Sequence, residues 1–105
     1  MKPANIRPLA EEDFVERTRY YADAEGAELA NRFFDGAIAA LRSAEAMPGI
    51  GSPTVGELIG VDGLRRIGVD RFRCGWFYLE RDDHLDVIRL LADSQDLEDL
   101  LGGAL

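Results

Sequence analysis

Histidine and cysteine are almost missing from this chain: its 105 residues include one of each, His84 and Cys74. A single cysteine excludes an internal disulfide framework, and one cysteine with one histidine is too small a set for a Cys/His zinc site, so no metal and no cofactor is expected. Long hydrophobic runs are absent too, which excludes a bilayer-spanning helix and gives no reason to expect a membrane partner. The opening residues, MKPANIRPLAEED, lack the apolar core of a secretory signal, and the cytoplasm is the default compartment. Cations are scarce: twelve Lys and Arg stand against twenty Asp and Glu, a net charge of −8. The whole molecule therefore exerts no long-range attraction on a phosphate backbone, and any basic patch must be local. What is present is an ordinary globular balance, 47% hydrophobic and 30% charged, which argues against a disordered chain or a fibre. The length suits one domain spanning residues 1–105.

Hydrophobic periodicity divides the chain. Ala4 to Leu9, bracketed by Pro3 and Pro8, reads as an edge strand because proline cannot donate to a ladder. From Ala10, three acids occupy a first helical turn, where the helix dipole favours negative charge, and the helix stops at Gly26. A second helix is predicted from about Ala27 to Met47. There Ala30, Phe33, Phe34, Ala37, Ile38, Leu41 and Ala44 form a stripe of period near 3.6, closed by Pro48. So short a join makes the two helices an antiparallel hairpin. Residues 48–63, dense in Gly and Pro, read as a connection with little regular structure. Three β-rich runs follow, LRRIGVD, RCGWFYLERD and HLDVIRLLA, with Asp82-Asp83 as the turn between the last two. The tail, with Ser94 as N-cap and Leu97, Leu100 and Leu101 on one face, predicts a short terminal helix. The expected fold class is α+β: an N-terminal strand, then a helical hairpin packed on an antiparallel sheet (β-α-α-β-β-β), then a short C-terminal helix.

Charge is distributed unevenly. Between residues 64 and 81 five arginines (Arg65, Arg66, Arg71, Arg73 and Arg81) meet two acids (Asp70 and Glu80), a local balance of +3; taken from −8, this leaves −11 for the rest. One reading is solvated strand edges; the other is a surface for an anionic partner, since arginine's planar fork pairs with carboxylates and phosphates. The run Trp76, Phe77, Tyr78, Leu79 suits a central strand covered on both sides. Cys74 reads as a small hydrophobe, and His84 as a solvated residue of the hairpin turn.

The order of elements, together with the stretches RPLAEEDF, RYYADAEGAELANRFFDGAIAAL, MPGIG, GLRRIGVDRF, WFYLERD and VIRLLADSQDLEDLL, resembles the RelE/ParE superfamily of type II toxin–antitoxin toxins, in particular its ParE branch. The resemblance covers nearly the whole chain. It implies a small cytoplasmic toxin, held inactive in a hetero-oligomer by a ParD-like antitoxin with a ribbon-helix-helix N-terminus. ParE-like toxins poison DNA gyrase, whereas the RelE branch cleaves messenger RNA on the ribosome. The family's last strand ends in the pattern R-V-L-H-x-x-R-D. Here Arg89 and Asp96 match it, but Ala92 stands for the histidine and Gln95 for the second arginine.

Cleaving RNA through its own 2′-OH needs a base, an acid and cationic stabilisation of the phosphate. Arginines are plentiful, but a proton-transfer pair is not: His84 is at a turn, and Tyr78 or Tyr20 reads as an amphipathic aromatic at a core edge. The expectation is therefore a protein-binding toxin rather than an enzyme, with DNA gyrase as target and no DNA contact of its own. A ribosome-dependent nuclease and a non-toxic partner-binding relative are the alternatives. The candidate target- or antitoxin-binding residues are Arg65, Arg71, Arg73, Trp76, Tyr78, Arg89 and Asp96, with no catalytic residue. Arg65 and Arg89 are placed on one sheet face by strand alternation. Their structural alternative is an ion pair with Asp96 or with acids on the helices. The sheet face away from the hairpin is expected to stay a groove until an antitoxin segment fills it.

Overall fold

The computed structural model describes the backbone of residues 1–105 and the side chains of all but Ala104. A short strand β1 (Ala4–Ile6) leads into helices α1 (Pro8–Glu25) and α2 (Ala27–Ala46). A 3-10 turn (Pro48–Ile50) and a short helix α3 (Thr54–Ile59) follow, then strands β2 (Leu64–Gly68), β3 (Cys74–Glu80) and β4 (Leu85–Ala92), and finally helix α4 (Leu97–Ala104). The expected order is thus observed. Pro8 is the first residue of α1, where its fixed φ suits a helix start and its missing N–H costs nothing, so the helix begins two residues before Ala10. Gly26 joins the helices at φ +97°, a conformation open to glycine at little cost, and its N–H closes α1 on the Ala22 carbonyl.

The sheet order is β1-β4-β3-β2. β2, β3 and β4 form the expected antiparallel meander, whereas β1 runs parallel to β4, so the sheet is mixed rather than wholly antiparallel. A register shift between Phe77, paired with Arg89, and Tyr78, paired with Val87, leaves Ile88 as the extra residue of a bulge in β4.

Each face of the sheet is covered. Against the hairpin lie Phe33, Ala37, Leu41 and Ala44 of α2 with Trp76, Tyr78, Val87 and Leu90 of the sheet. Phe33 is completely buried; a side chain of this size is worth about 1.5–3 kcal/mol in burial. Two members of the expected stripe differ: Phe34 is exposed and Ile38 only half-buried, because they lie on the outer side of α2. The opposite face holds Leu64, Phe77, Ile88, Leu91 and Leu101, with Val55, Ile59, Leu97 and Leu100 packed around them. That second layer corrects two expectations. Residues 48–63 are not merely a connection, since α3 supplies Val55 and Ile59. Nor is this face an open groove, because the chain's own α3 and α4 fill it. The N-cap of α4 is Asp96 rather than Ser94: its carboxylate accepts from the Asp99 N–H at 3.1 Å.

Candidate interaction surface

Trp76 and Tyr78 are core residues. Both are completely buried, so neither can touch a partner, and their assignment as binding residues is corrected. The Trp76 indole N–H donates to the Ala37 carbonyl at 2.9 Å, tying β3 to α2. The Tyr78 hydroxyl donates to the Pro48 carbonyl at 2.6 Å and accepts from the Gly51 N–H at 3.0 Å. Gly51 is required there, since a Cβ would come within 2.5 Å of that hydroxyl oxygen. Arg65 completes the lock by donating to the Gly51 carbonyl at 2.8 Å, with a longer contact of 3.4 Å to Gly49. It therefore holds backbone, not one of the acids foreseen for it.

Arg89 does meet a helix acid. Its Nε and Nη2 donate to Asp13 of α1 at 2.6 and 2.9 Å, and the same carboxylate accepts the Leu90 N–H at 3.1 Å. β1 ends at Ile6, so β4 runs on past it, and Asp13 takes the place of the missing strand for the Leu90 donor. The pair is only 14–15% exposed, and hydrogen bonds to Asp13 raise the Arg89 guanidinium still further above its ordinary range against the opposing effect of burial. Two residues on, the Ala92 N–H is satisfied by the Gln95 side-chain oxygen at 2.7 Å. The two positions that depart from the R-V-L-H-x-x-R-D pattern are thus bonded to each other. The nearby open pocket of about 210 Å³ is lined by Asp13, Glu16, Arg17, Tyr20, Leu90 and Gln95. His84 lies elsewhere, at the β3–β4 turn, with Nδ1 2.7 Å from the Asp83 carboxylate.

The remaining arginines fall into two groups. Arg66 pairs with Asp93 at 2.7 Å, its side chain lying over Gly68 and Gly75, and Arg81 pairs at 3.2 Å with Asp86, which Arg7 also holds at 2.8 Å. Arg71 and Arg73 are different. Both are exposed in the β2–β3 turn; the Arg71 side chain is 89% exposed and 4.0 Å from Asp70, and Arg73 makes no ion pair among the described residues. Arg71 also has φ +70°, the one non-glycine residue described at positive φ, which costs about 1–2 kcal/mol that glycine would avoid. Of the seven candidates, then, the structure presents Arg71 and Arg73 together. It commits Arg65, Arg89 and Asp96 to internal bonds. The acids Asp13 and Asp93, which decide which arginines remain available, were not singled out from sequence; Asp13 was marked only as one of the acids of a first turn expected from Ala10, and with the helix starting at Pro8 it lies beyond that turn.

Cys74 is buried, and desolvation pushes its thiol up to about 11. Among the described residues no cluster of three or more His, Cys, Asp or Glu side chains is arranged to hold a metal ion, and no helix is long and apolar enough to cross a membrane.

A chain of the solved structure of the chromosomal ParDE TA system from P. aeruginosa superposes on this one with a TM-score of 0.72, covering 88% of this chain and 96% of that chain. The fold is ParE-like. Sequence identity to that chain is 17%, so the likeness is one of architecture, the ParE-like arrangement of a strand, a helical hairpin, a meander and a terminal helix. No protein-family model matches the chain, and no curated protein matches it by sequence.

Proposed function

We propose that this chain is the toxin of a type II toxin–antitoxin system, acting in the cytoplasm by binding DNA gyrase and neutralised by a cognate ParD-like antitoxin. The observation that carries the reading is the ParE-like fold joined to a β4 end without a proton-transfer pair. Ala92 and Gln95 bond each other there, Arg89 is held by Asp13, and the Tyr78 hydroxyl is spent on Pro48 and Gly51. Ala92 carries no ionisable group and the Tyr78 hydroxyl is buried, so among the described residues this end of β4 offers no solvent-facing acid–base pair. The contact surface on this reading is the β2–β3 turn, where Arg71 and Arg73 are offered to carboxylates of a protein partner. Arg71 keeps an arginine in a backbone conformation that favours glycine, and nothing in the fold requires its side chain. The acidic remainder of the molecule opposes docking on RNA but not on protein.

The test is induction of the chain in a bacterial host without its antitoxin. Growth arrest with intact transcripts and accumulating gyrase-linked DNA breaks is expected, reversed by co-expression of the antitoxin. Translation arrest with cleaved transcripts would replace this reading with the nuclease, and unimpaired growth would replace it with a non-toxic binding module.

A further inference from the structure

The outer side of α2 carries a pattern that neither the core nor the arginine turn uses. Phe34, Asp35, Ile38, Ala39 and Arg42 line a shallow depression on it. Phe34 is 45% exposed, Ala39 exposed and Ile38 half-buried. Across the hairpin, Phe14, Val15, Thr18 and Ala22 of α1, with the charged Glu11 and Arg19, line a second depression that reaches Phe34.

Two charges bracket Ile38 and Ala39 on α2. Asp35 and Arg42 are both exposed, and neither makes an ion pair among the described residues. Seven residues separate them, about 10.5 Å along a helix rising 1.5 Å per residue, so they cannot pair with each other. Glu28 and Arg32, four residues apart on the same helix, do pair at 2.8 Å. The seven-residue spacing acquires a partner when a second α2 is laid antiparallel about a two-fold axis between Ile38 and Ala39. Each Asp35 then faces the other copy's Arg42, and Ile38 lies level with the other copy's Ala39, while Phe34 and Ser43, about 180° apart around the helix, fall on opposite flanks of the seam. A parallel arrangement would set Asp35 on Asp35 and Arg42 on Arg42. The face is thus self-complementary in one orientation only, as a two-fold interface requires.

We propose that the outer face of α2 is a self-association surface on which a second copy of this chain packs antiparallel, Asp35 of each copy pairing with Arg42 of the other. The two hairpins then form a four-helix layer with Ile38 and Ala39 at the middle of the α2–α2 seam and Phe34, stacked on Phe14, on its α1 side. The contact is smaller than a standard interface, and each copy carries a net charge of −8, so the dimer is weak, concentration-dependent and favoured by salt that screens the mutual repulsion. This does not rest on the toxin reading.

The test is sedimentation equilibrium of the full chain from about 10 μM to about 1 mM, a range that brackets a weak association. Wild type is expected to shift from the mass of one chain toward that of two. Asp35→Arg and Arg42→Asp should each raise the dissociation constant roughly tenfold or more, since two symmetry-related attractions become repulsions. Mixed in equal amounts, the two variants should regain the paired mass, and the double variant D35R/R42D should associate like wild type. Circular dichroism should be unchanged throughout, as both side chains are exposed. A chain that is monomeric at every concentration overturns the proposal, even if the same variants weaken binding of a separate amphipathic helix to this face. So does an association that the single variants leave unmoved, or one that mixing them fails to restore.

Discussion

Replacing Asp13 by alanine removes three hydrogen bonds at once: two from the Arg89 guanidinium, at 2.6 and 2.9 Å, and one from the Leu90 N–H, at 3.1 Å. Both charged side chains are about one-seventh exposed, so the arginine left behind would be a mostly desolvated cation beside an unsatisfied backbone donor. Breaking a fully buried pair costs about 3–5 kcal/mol, and the residual solvent access places this one near the lower end, about 3 kcal/mol. For a domain whose total stability is roughly 5–15 kcal/mol, that is a large fraction. In equilibrium urea unfolding, Asp13→Ala should lower the midpoint with little change in slope. Asp13→Asn, which keeps an acceptor for the Leu90 N–H but loses the charge, should cost about half as much. The double variant D13A/R89M removes the stranded cation as well, and it should be less destabilised than the sum of the single effects by about 1.5 kcal/mol or more. A cost below about 0.5 kcal/mol for Asp13→Ala, the behaviour of a surface ion pair, or strict additivity in the cycle would refute this account.

Tyr78→Phe leaves the Pro48 carbonyl and the Gly51 N–H without their shared partner and should destabilise by about 1–3 kcal/mol, measured by urea unfolding. Hydrogen bonds from Arg7, then from Arg81, hold the Asp86 carboxylate below its ordinary range against partial burial. Its folded value is therefore lower than its unfolded one. Its stabilisation is fully present above the unfolded value, about pH 4, and is lost as pH falls through the folded value. Asp86→Asn should accordingly flatten the acid limb of a stability-versus-pH curve and remove little of its slope above pH about 5. With its thiol pushed up to about 11, Cys74 should react with a maleimide at pH 8 roughly a hundredfold more slowly than a free cysteine, becoming fast on unfolding. Equal rates for the folded and unfolded protein would contradict its burial.

Residues whose pattern repeats were readable in the sequence. The α2 stripe and the three β-rich runs gave the hairpin and the meander, because periodicity records which side of each element is buried. α3 was not readable. Its six residues are too short to show a period, and its helical form depends on Val55 and Ile59 packing against Leu64 and Phe77. The same packing closes the sheet face that looked like an open groove. At the candidate surface the arginines were visible as a composition shift, but their availability was not, since it depends on Asp13, Asp86 and Asp93 reaching them across 76, 5 and 27 positions. Trp76 and Tyr78 were misassigned because an aromatic run does not say whether a strand's second face is covered. Ala92 and Gln95 were legible as departures from a pattern, while the hydrogen bond between them was not.

Binding through the β2–β3 turn is tested by a gyrase supercoiling assay that compares purified, antitoxin-free wild type with the double variant R71G/R73A. Glycine at position 71 relieves the left-handed strain, so the variant should be as stable as wild type or more stable by about 1 kcal/mol. Inhibition by wild type, with at least a tenfold loss in the equally stable variant, is the expected result. No inhibition by wild type at a large excess over gyrase, or equal inhibition by both proteins, would contradict it.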